Sequence, residues 1–157
     1  MNTPEYPAFS PYITVQDAAK AIAFYQEAFG ATERFRLVDA STGKVGHAEL
    51  NLQGGLLMLS DENPAWNKSP QTLGGTPVKF CLMVENADAA VAKAAAAGAT
   101  VIMPAADMFY GFRTGSVSDP FGHLWLLQHE IEKVSPEEMQ KRWDGMTEKC
   151  PASNDAA

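Results

Sequence analysis

Two stretches of the chain share one plan, and that duplication limits the folds open to it. Val15-Gln16-Asp17-Ala18-Ala19-Lys20 continues through Ile22, Phe24, Tyr25, Ala28 and Phe29 to Gly30-Ala31-Thr32. Val84-Glu85-Asn86-Ala87-Asp88-Ala89 continues through Val91 and Ala95 to Gly98-Ala99-Thr100. Each begins in a β-like run ending in Val and passes an Asx residue placed to cap a helix. Each then stops at a glycine suited to the position after a helix C-terminus. The interval is too long for a solenoid repeat. It predicts one duplication, each half holding a strand, a helix and further strands.

The helices declare their faces. In the first, Ala18, Ile22, Tyr25 and Phe29 form one apolar stripe that Ala21 and Ala28 widen. The second, about 87–97, is nearly all Ala around Val91, thin enough to lie close on a sheet. A third opens at Ser135-Pro136-Glu137-Glu138, with a capping box from Ser135 to Glu138 and Met139 and Trp143 as its expected buried contacts. Strands are expected at 47–52, 56–59, 78–84 and 124–127, the last fed by an Asp119-Pro120-Phe121-Gly122 turn. Along 47–52 the alternation turns Ala48, Leu50 and Leu52 to the helices and His47, Glu49 and Asn51 to the other face. Segments 60–77 and 104–116 read as long connections able to border a site.

At 157 residues, 46% hydrophobic and 20% charged, the chain has room for one domain or two small halves sharing a core. A formal net charge of -7 argues against a nucleic-acid partner, which would need a basic face. No apolar run is long enough to span a membrane. The N-terminus lacks the basic and apolar regions of a signal peptide, and Cys81 and Cys150 are too few for a disulfide framework. A cytoplasmic protein is expected.

Several motifs in order carry a resemblance. They are Tyr12-Ile13-Thr14-Val15-Gln16-Asp17 leading to Phe24-Tyr25 and Phe29-Gly30-Ala31, then Gly43-Lys44-Val45-Gly46-His47-Ala48-Glu49-Leu50 and Met58-Leu59-Ser60-Asp61. Tyr110-Gly111-Phe112-Arg113 and Asp119-Pro120-Phe121-Gly122-His123-Leu124-Trp125 complete the set. The chain resembles the vicinal oxygen chelate superfamily (glyoxalase I, bleomycin-resistance proteins, extradiol dioxygenases), and within it the PhnB-like branch. The resemblance implies an α+β fold over residues 8–130: two tandem βαβββ modules, about 8–62 and 76–130, forming a curled mixed sheet with an open cleft. A C-terminal helix at 131–146 and a flexible tail at 147–157 would follow, and a homodimer would be usual.

Metal-dependent members of that superfamily carry four His or Glu ligands on inward strand positions. Carried over by motif spacing, those positions hold Ser10, Met58, Lys79 and Leu126. None is a normal ligand for a divalent ion, and the Lys79 ammonium would repel one. No cofactor is therefore expected, with a displaced site built from His47, Glu49 and Asp61 as the departure from that. The expected lining mixes apolar walls with a few polar groups, the usual make-up of a small-molecule pocket. Tyr12, His47, Glu49, Met58, Lys79, Tyr110, Arg113 and Leu126 are its candidate ligand-binding residues, with His47 the candidate general base. Trp66 and Phe109 are candidate rim aromatics, Glu49 and Lys79 could pair, Arg113 could bind an anion or pin the Asp119 turn, and His123 is expected at the surface. The expected function is metal-free binding of a small aromatic or anionic molecule. The alternative is an enzyme of the lyase, isomerase or dioxygenase type, metal-independent or with a displaced metal.

Overall fold

The computed structural model describes residues 6–147. The first module runs β1 (Tyr12–Val15), α1 (Ala18–Phe29), β2 (Thr32–Val38), β3 (Val45–Leu52) and β4 (Gly55–Asp61). After the one-turn helix α2 (Pro70–Leu73), the second repeats the plan: β5 (Lys79–Met83), α3 (Ala87–Ala96), β6 (Thr100–Asp107), β7 (Phe112–Ser118) and β8 (Leu124–Glu130). Helix α4 (Pro136–Thr147) closes the described chain. Nearly all of the expected flexible tail, 147–157, lies outside the described residues.

The strands form two four-stranded mixed sheets of identical order, β1-β4-β3-β2 and β5-β8-β7-β6. In each, the first strand pairs parallel with the last and the rest pair antiparallel. No closed barrel forms among the described strands. This is the expected α+β architecture of two βαβββ modules and a C-terminal helix.

Both expected helix starts are built by their Asx residues. Asp17 accepts from Lys20 N–H at 3.0 Å and Asn86 from Ala89 N–H at 2.9 Å, each satisfying an orphan donor of the first turn. Gly30 ends α1 in the left-handed region at φ 69°. The α1 stripe is buried as the spacing requires, but it serves both modules. Tyr25 and Phe29 pack on Trp125 of β8, and Phe24 meets Phe121. One hydrophobic core therefore runs through both halves. Helix α3 lies so close to its sheet that Val91 occupies the space a side chain at Gly115 of β7 would need.

Three local expectations are corrected, and segment 60–77 keeps its expected length as the β4–β5 connection. Segment 104–116 is no long connection, since β6 runs to Asp107 and β7 begins at Phe112, leaving a short turn. Segment 60–77 contains α2, capped by the Ser69 hydroxyl. His123 is buried, not exposed: its Nε2–H donates to the Thr14 carbonyl of β1 at 3.0 Å, across the module seam. In α4, Ser135 accepts from Glu138 N–H at 3.2 Å, but the Glu138 carboxylate pairs with Arg142, and Trp143 stays half exposed against Phe109.

Candidate functional site

Strand alternation leaves each sheet one face toward the helices and one open face. On the first sheet, Ala48, Leu50, Leu52, Leu57 and Leu59 take the helix side and are buried. In register across the other side lie Tyr12, Met58, Glu49 and Phe35, with Thr14, Ser60, His47 and Leu37 in the next row. Four expected residues, Tyr12, His47, Glu49 and Met58, therefore share one surface.

Their polar groups are connected. Tyr12 Oη lies 3.0 Å from His47 Nδ1, and His47 Nε2 lies 3.3 Å from Glu49 Oε1. Glu49 Oε2 is 3.0 Å from Arg34 Nη1, an ion-pair distance but out of line for a hydrogen bond. The Glu49 carboxylate is 3% exposed and finds its countercharge in Arg34, not in Lys79. Arg34 also lies over the Tyr6 ring, 4.8 Å from its centroid. The sequence reading did not single out Arg34 or Phe35. The Phe35-Arg36-Leu37 alternation could have exposed β2, but a bulge at Arg34 breaks the period.

On the second sheet, Lys79 and Leu124, Cys81 and Leu126, and Met83 and Gln128 are register partners on the open face. Tyr110 joins them there, its hydroxyl 3.2 Å from Thr114 Oγ1, which donates to Gln128 Oε1 at 3.3 Å. Arg113 is elsewhere. It lies on the helix side, bidentate to Asp88 of α3 at 2.6 and 2.9 Å and bonded to Asp107 at 2.7 Å. Those two carboxylates keep its guanidinium charged well above the ordinary arginine range. Nor does it pin the Asp119 turn, whose carboxylate is held by Tyr25 and Trp125. Nearby His129, which the sequence reading passed over, accepts from Ala87 N–H at 3.0 Å and so caps α3 from β8.

Two of the recesses near the module seam touch the expected residues. One, of about 420 Å³, separates the β3–β4 hairpin (Leu52 to Leu57) from Lys79–Leu82 of β5, with Phe9, Pro11 and Trp125 in its wall. Lys79 is the charged residue among these lining groups. The other, of about 380 Å³, runs between β1 and residues 68–78 and has Tyr12, Lys68 and His123 in its wall. Trp66 projects freely into solvent.

The superfamily's metal positions do not fit a metal here. Ser10, Met58, Lys79 and Leu126 offer a hydroxyl, a thioether, an ammonium and an alkyl chain, with neither imidazole nor carboxylate among them. The displaced set fails as well. Both Asp61 oxygens accept backbone N–H groups, from Ala18 at 2.8 Å and Val45 at 2.7 Å, which holds Asp61 away from His47 and Glu49. Among the described residues no three His, Cys, Asp or Glu side chains are grouped to hold an ion.

Paired βαβββ modules of identical strand order around one shared core define the class of fold. Residues 8–127 match the Glyoxalase/Bleomycin resistance protein/Dioxygenase superfamily, and the chain belongs to that family. An uncharacterized protein of Mycobacterium bovis is 44% identical over 138 residues, covering 85% of this chain and 90% of that one. An Arabidopsis thaliana protein is 33% identical over 132 residues, covering 80% of this chain and 79% of that one. Its crystal structure matches with a TM-score of 0.63 over 79% of this chain and 99% of that one. A PhnB protein from Bacillus cereus, 17% identical with a TM-score of 0.59 over 77% of this chain and 98% of that one, shares the fold. Among the described residues no helix is long and apolar enough to cross a membrane.

Proposed function

We propose that the protein binds, without a metal ion, a small molecule that joins an apolar or aromatic body to an anionic group. The site is the cavity between the β3–β4 hairpin and β5. The observation that carries this reading is Lys79 beside otherwise apolar and aromatic walls in a space of about 420 Å³. Such walls reward burial of a ring, and one placed cation fixes its orientation. The same ammonium at a superfamily ligand position disfavours a metal and favours an anion.

The probe is 8-anilinonaphthalene-1-sulfonate, an aromatic anion, titrated into protein carrying Trp66→Phe and Trp143→Phe. Trp125, which lines the cavity, then reports binding by quenching. Lys79→Met should weaken binding roughly tenfold, the value of one charge-assisted contact. Cys81→Phe should block it by filling the wall, and the probe should be returned unchanged. Quenching indifferent to both variants would overturn the reading. Elemental analysis of protein made without a His tag, with thermal shifts in Zn²⁺, Ni²⁺, Mn²⁺ and Fe²⁺, tests the metal-free part. One tightly held ion per chain would sink it.

The same proposal places the chain in the PhnB-like branch, on the motifs from Met58-Leu59-Ser60-Asp61 to Leu124-Trp125, as a cytoplasmic homodimer. Exposed Phe35, Leu37 and Val38 along β2 support a partner surface. Sedimentation equilibrium of wild type against Leu37→Glu decides whether that surface pairs two copies.

A further inference from the structure

A third recess, of about 510 Å³, lies where the end of α1, the tip of the β3–β4 hairpin, the end of β5 and the first turns of α3 come together. It shares Leu82 with the Lys79 cavity but none of that cavity's charged groups. The space stays open because the helices bring small side chains to it. Helix α3 presents the methyl groups of Ala89 and Ala90, and α1 presents Ala28. Phe29 and Leu82 supply the larger apolar surface.

Three polar residues line the same space: Gln53, Glu85 and Lys93. None of their side chains has a hydrogen bond or ion pair among the described residues. Gln53 is strained as well. It takes φ 48° in a two-residue turn with Gly54 at φ 79°, between the register partners Leu52 and Gly55. Such a turn favours Asn or Gly at its first position, and the left-handed region is costly for a longer side chain. Strain kept beside a cavity, with the carboxamide otherwise unused, marks Gln53 as a binding residue.

Glu85 immediately precedes the Asn86 cap, and Lys93 lies two turns beyond that cap on the stripe of α3 that Ala89 and Ala90 share. At about 1.5 Å per residue, the two charges are rooted roughly 12 Å apart along the helix. Gln53 offers an N–H donor and a carbonyl acceptor, the complement of an amide unit. An anion alone would meet Lys93 but also face Glu85, and a cation alone would face Lys93. A zwitterion with an amide between its charges satisfies all three residues. An extended residue spans about 3.3–3.6 Å, so two or three residues bridge the interval once the Glu85 and Lys93 side chains lean inward. We propose that this recess binds a short apolar peptide with free termini. Its ammonium meets Glu85, its carboxylate meets Lys93, and a peptide bond lies against Gln53. Its side chains rest on Ala28, Phe29 and Leu82. The site is separate from anion binding at Lys79 and does not rest on it.

The probe is the tripeptide Ala-Leu-Ala, titrated into isotope-labelled full-length protein and followed at the amide resonances of Ala89, Ala90 and Lys93. These should shift saturably at neutral pH. Acetylating the peptide's N-terminus or amidating its C-terminus should each weaken binding roughly tenfold, the value of one charge-assisted contact. Glu85→Gln should weaken the free peptide and leave the acetylated one unchanged, and Lys93→Gln should do the same with respect to the amidated one. Gln53→Gly should weaken binding while raising the urea midpoint, because glycine removes the strain and the carboxamide together. All three residues are exposed, so the variants should fold. Lys79→Met should leave the titration unchanged. No shift at millimolar peptide overturns the proposal, as do blocked peptides that bind as tightly as the free one. It also falls if Glu85→Gln and Lys93→Gln weaken every peptide alike, or if Gln53→Gly binds as wild type does.

Discussion

Tyr25 Oη donates to Asp119 Oδ2 at 2.7 Å, and this buried bond ties the helix of the first module to the hairpin turn of the second. The same oxygen accepts from Trp125 Nε1 at 2.9 Å. Oδ1 takes the N–H groups of Phe121 and His123, both at 2.9 Å. A carboxylate this deep is tolerable only because four donors meet it. Tyr25→Phe should cost about 1–3 kcal/mol, the range for removing a partner from a buried charged group. Asp119→Ala should cost more, about 3–5 kcal/mol, because it orphans several donors together. Urea unfolding at neutral pH measures both. A Tyr25→Phe midpoint equal to wild type would mean that apolar packing alone joins the modules.

The same contact sets an alkaline limit. Burial above all, then the Asp119 charge and the hydrogen bond to it, push the Tyr25 phenol well above its usual value. The unfolded chain releases that proton at about pH 10. The stabilisation is therefore complete below about pH 10 and is lost as the pH rises beyond it. Tyr25 should ionise together with unfolding. In Tyr25→Phe the alkaline unfolding step should lose the absorbance of one phenolate, and an unaltered step would place Tyr25 ionisation elsewhere.

How much of this was legible depended on whether the signal was local. Asp17, Asn86 and Gly30 mark helix ends through their own backbone chemistry, so α1 and α3 could be placed from sequence. The alternation of β3 put His47 and Glu49 on the open face. Strands β2 and β6 are bulged, which breaks the period of two, and β6 carries Pro104 within it. His123 follows a turn glycine and reads as exposed. Its burial depends on the Thr14 carbonyl, 109 residues away in sequence. The Arg113 pairings were hidden for the same reason, since Asp88 comes from another element. Faces were local information, and partners were not.

Cys81 lines the proposed cavity, and burial raises its thiol above the usual value. At neutral pH it should stay a thiol and react slowly with iodoacetamide, faster as the pH rises. In a Cys150→Ser background, 8-anilinonaphthalene-1-sulfonate should slow that alkylation further by covering the sulfur. Mass spectrometry of the labelled fraction against time reads both effects. Probe binding without protection would place the aromatic anion outside the cavity.

The β2–β3 turn should fail in acid. Asp39 accepts from Ser41 N–H, the Ser41 hydroxyl and Thr42 N–H, and these bonds lower its carboxyl to about 2. A depressed carboxyl stabilises the folded turn above the unfolded value near pH 4. That support fades as the pH falls through about 2. The amide resonances of Ser41 and Thr42 should therefore shift together near pH 2 in wild type. They should be pH-independent in Asp39→Asn, and a shift persisting there would assign the titration to another group.

The sharpest test of packing is Gly115. Its φ is ordinary, so glycine is required there by space and not by backbone conformation. A methyl at this position would run into Val91 of α3 and crowd Ala105 of the neighbouring strand. Gly115→Ala should destabilise by about 1–3 kcal/mol, the usual penalty for overpacking. Val91→Ala alone should also destabilise, by opening a cavity beneath the helix. The two changes are complementary in volume, so the double variant should be more stable than the sum of the single losses allows. Four urea curves, of wild type, the two single variants and the double variant, decide it. Strictly additive losses would mean that the β6 backbone, not Val91, is what excludes a side chain from this strand.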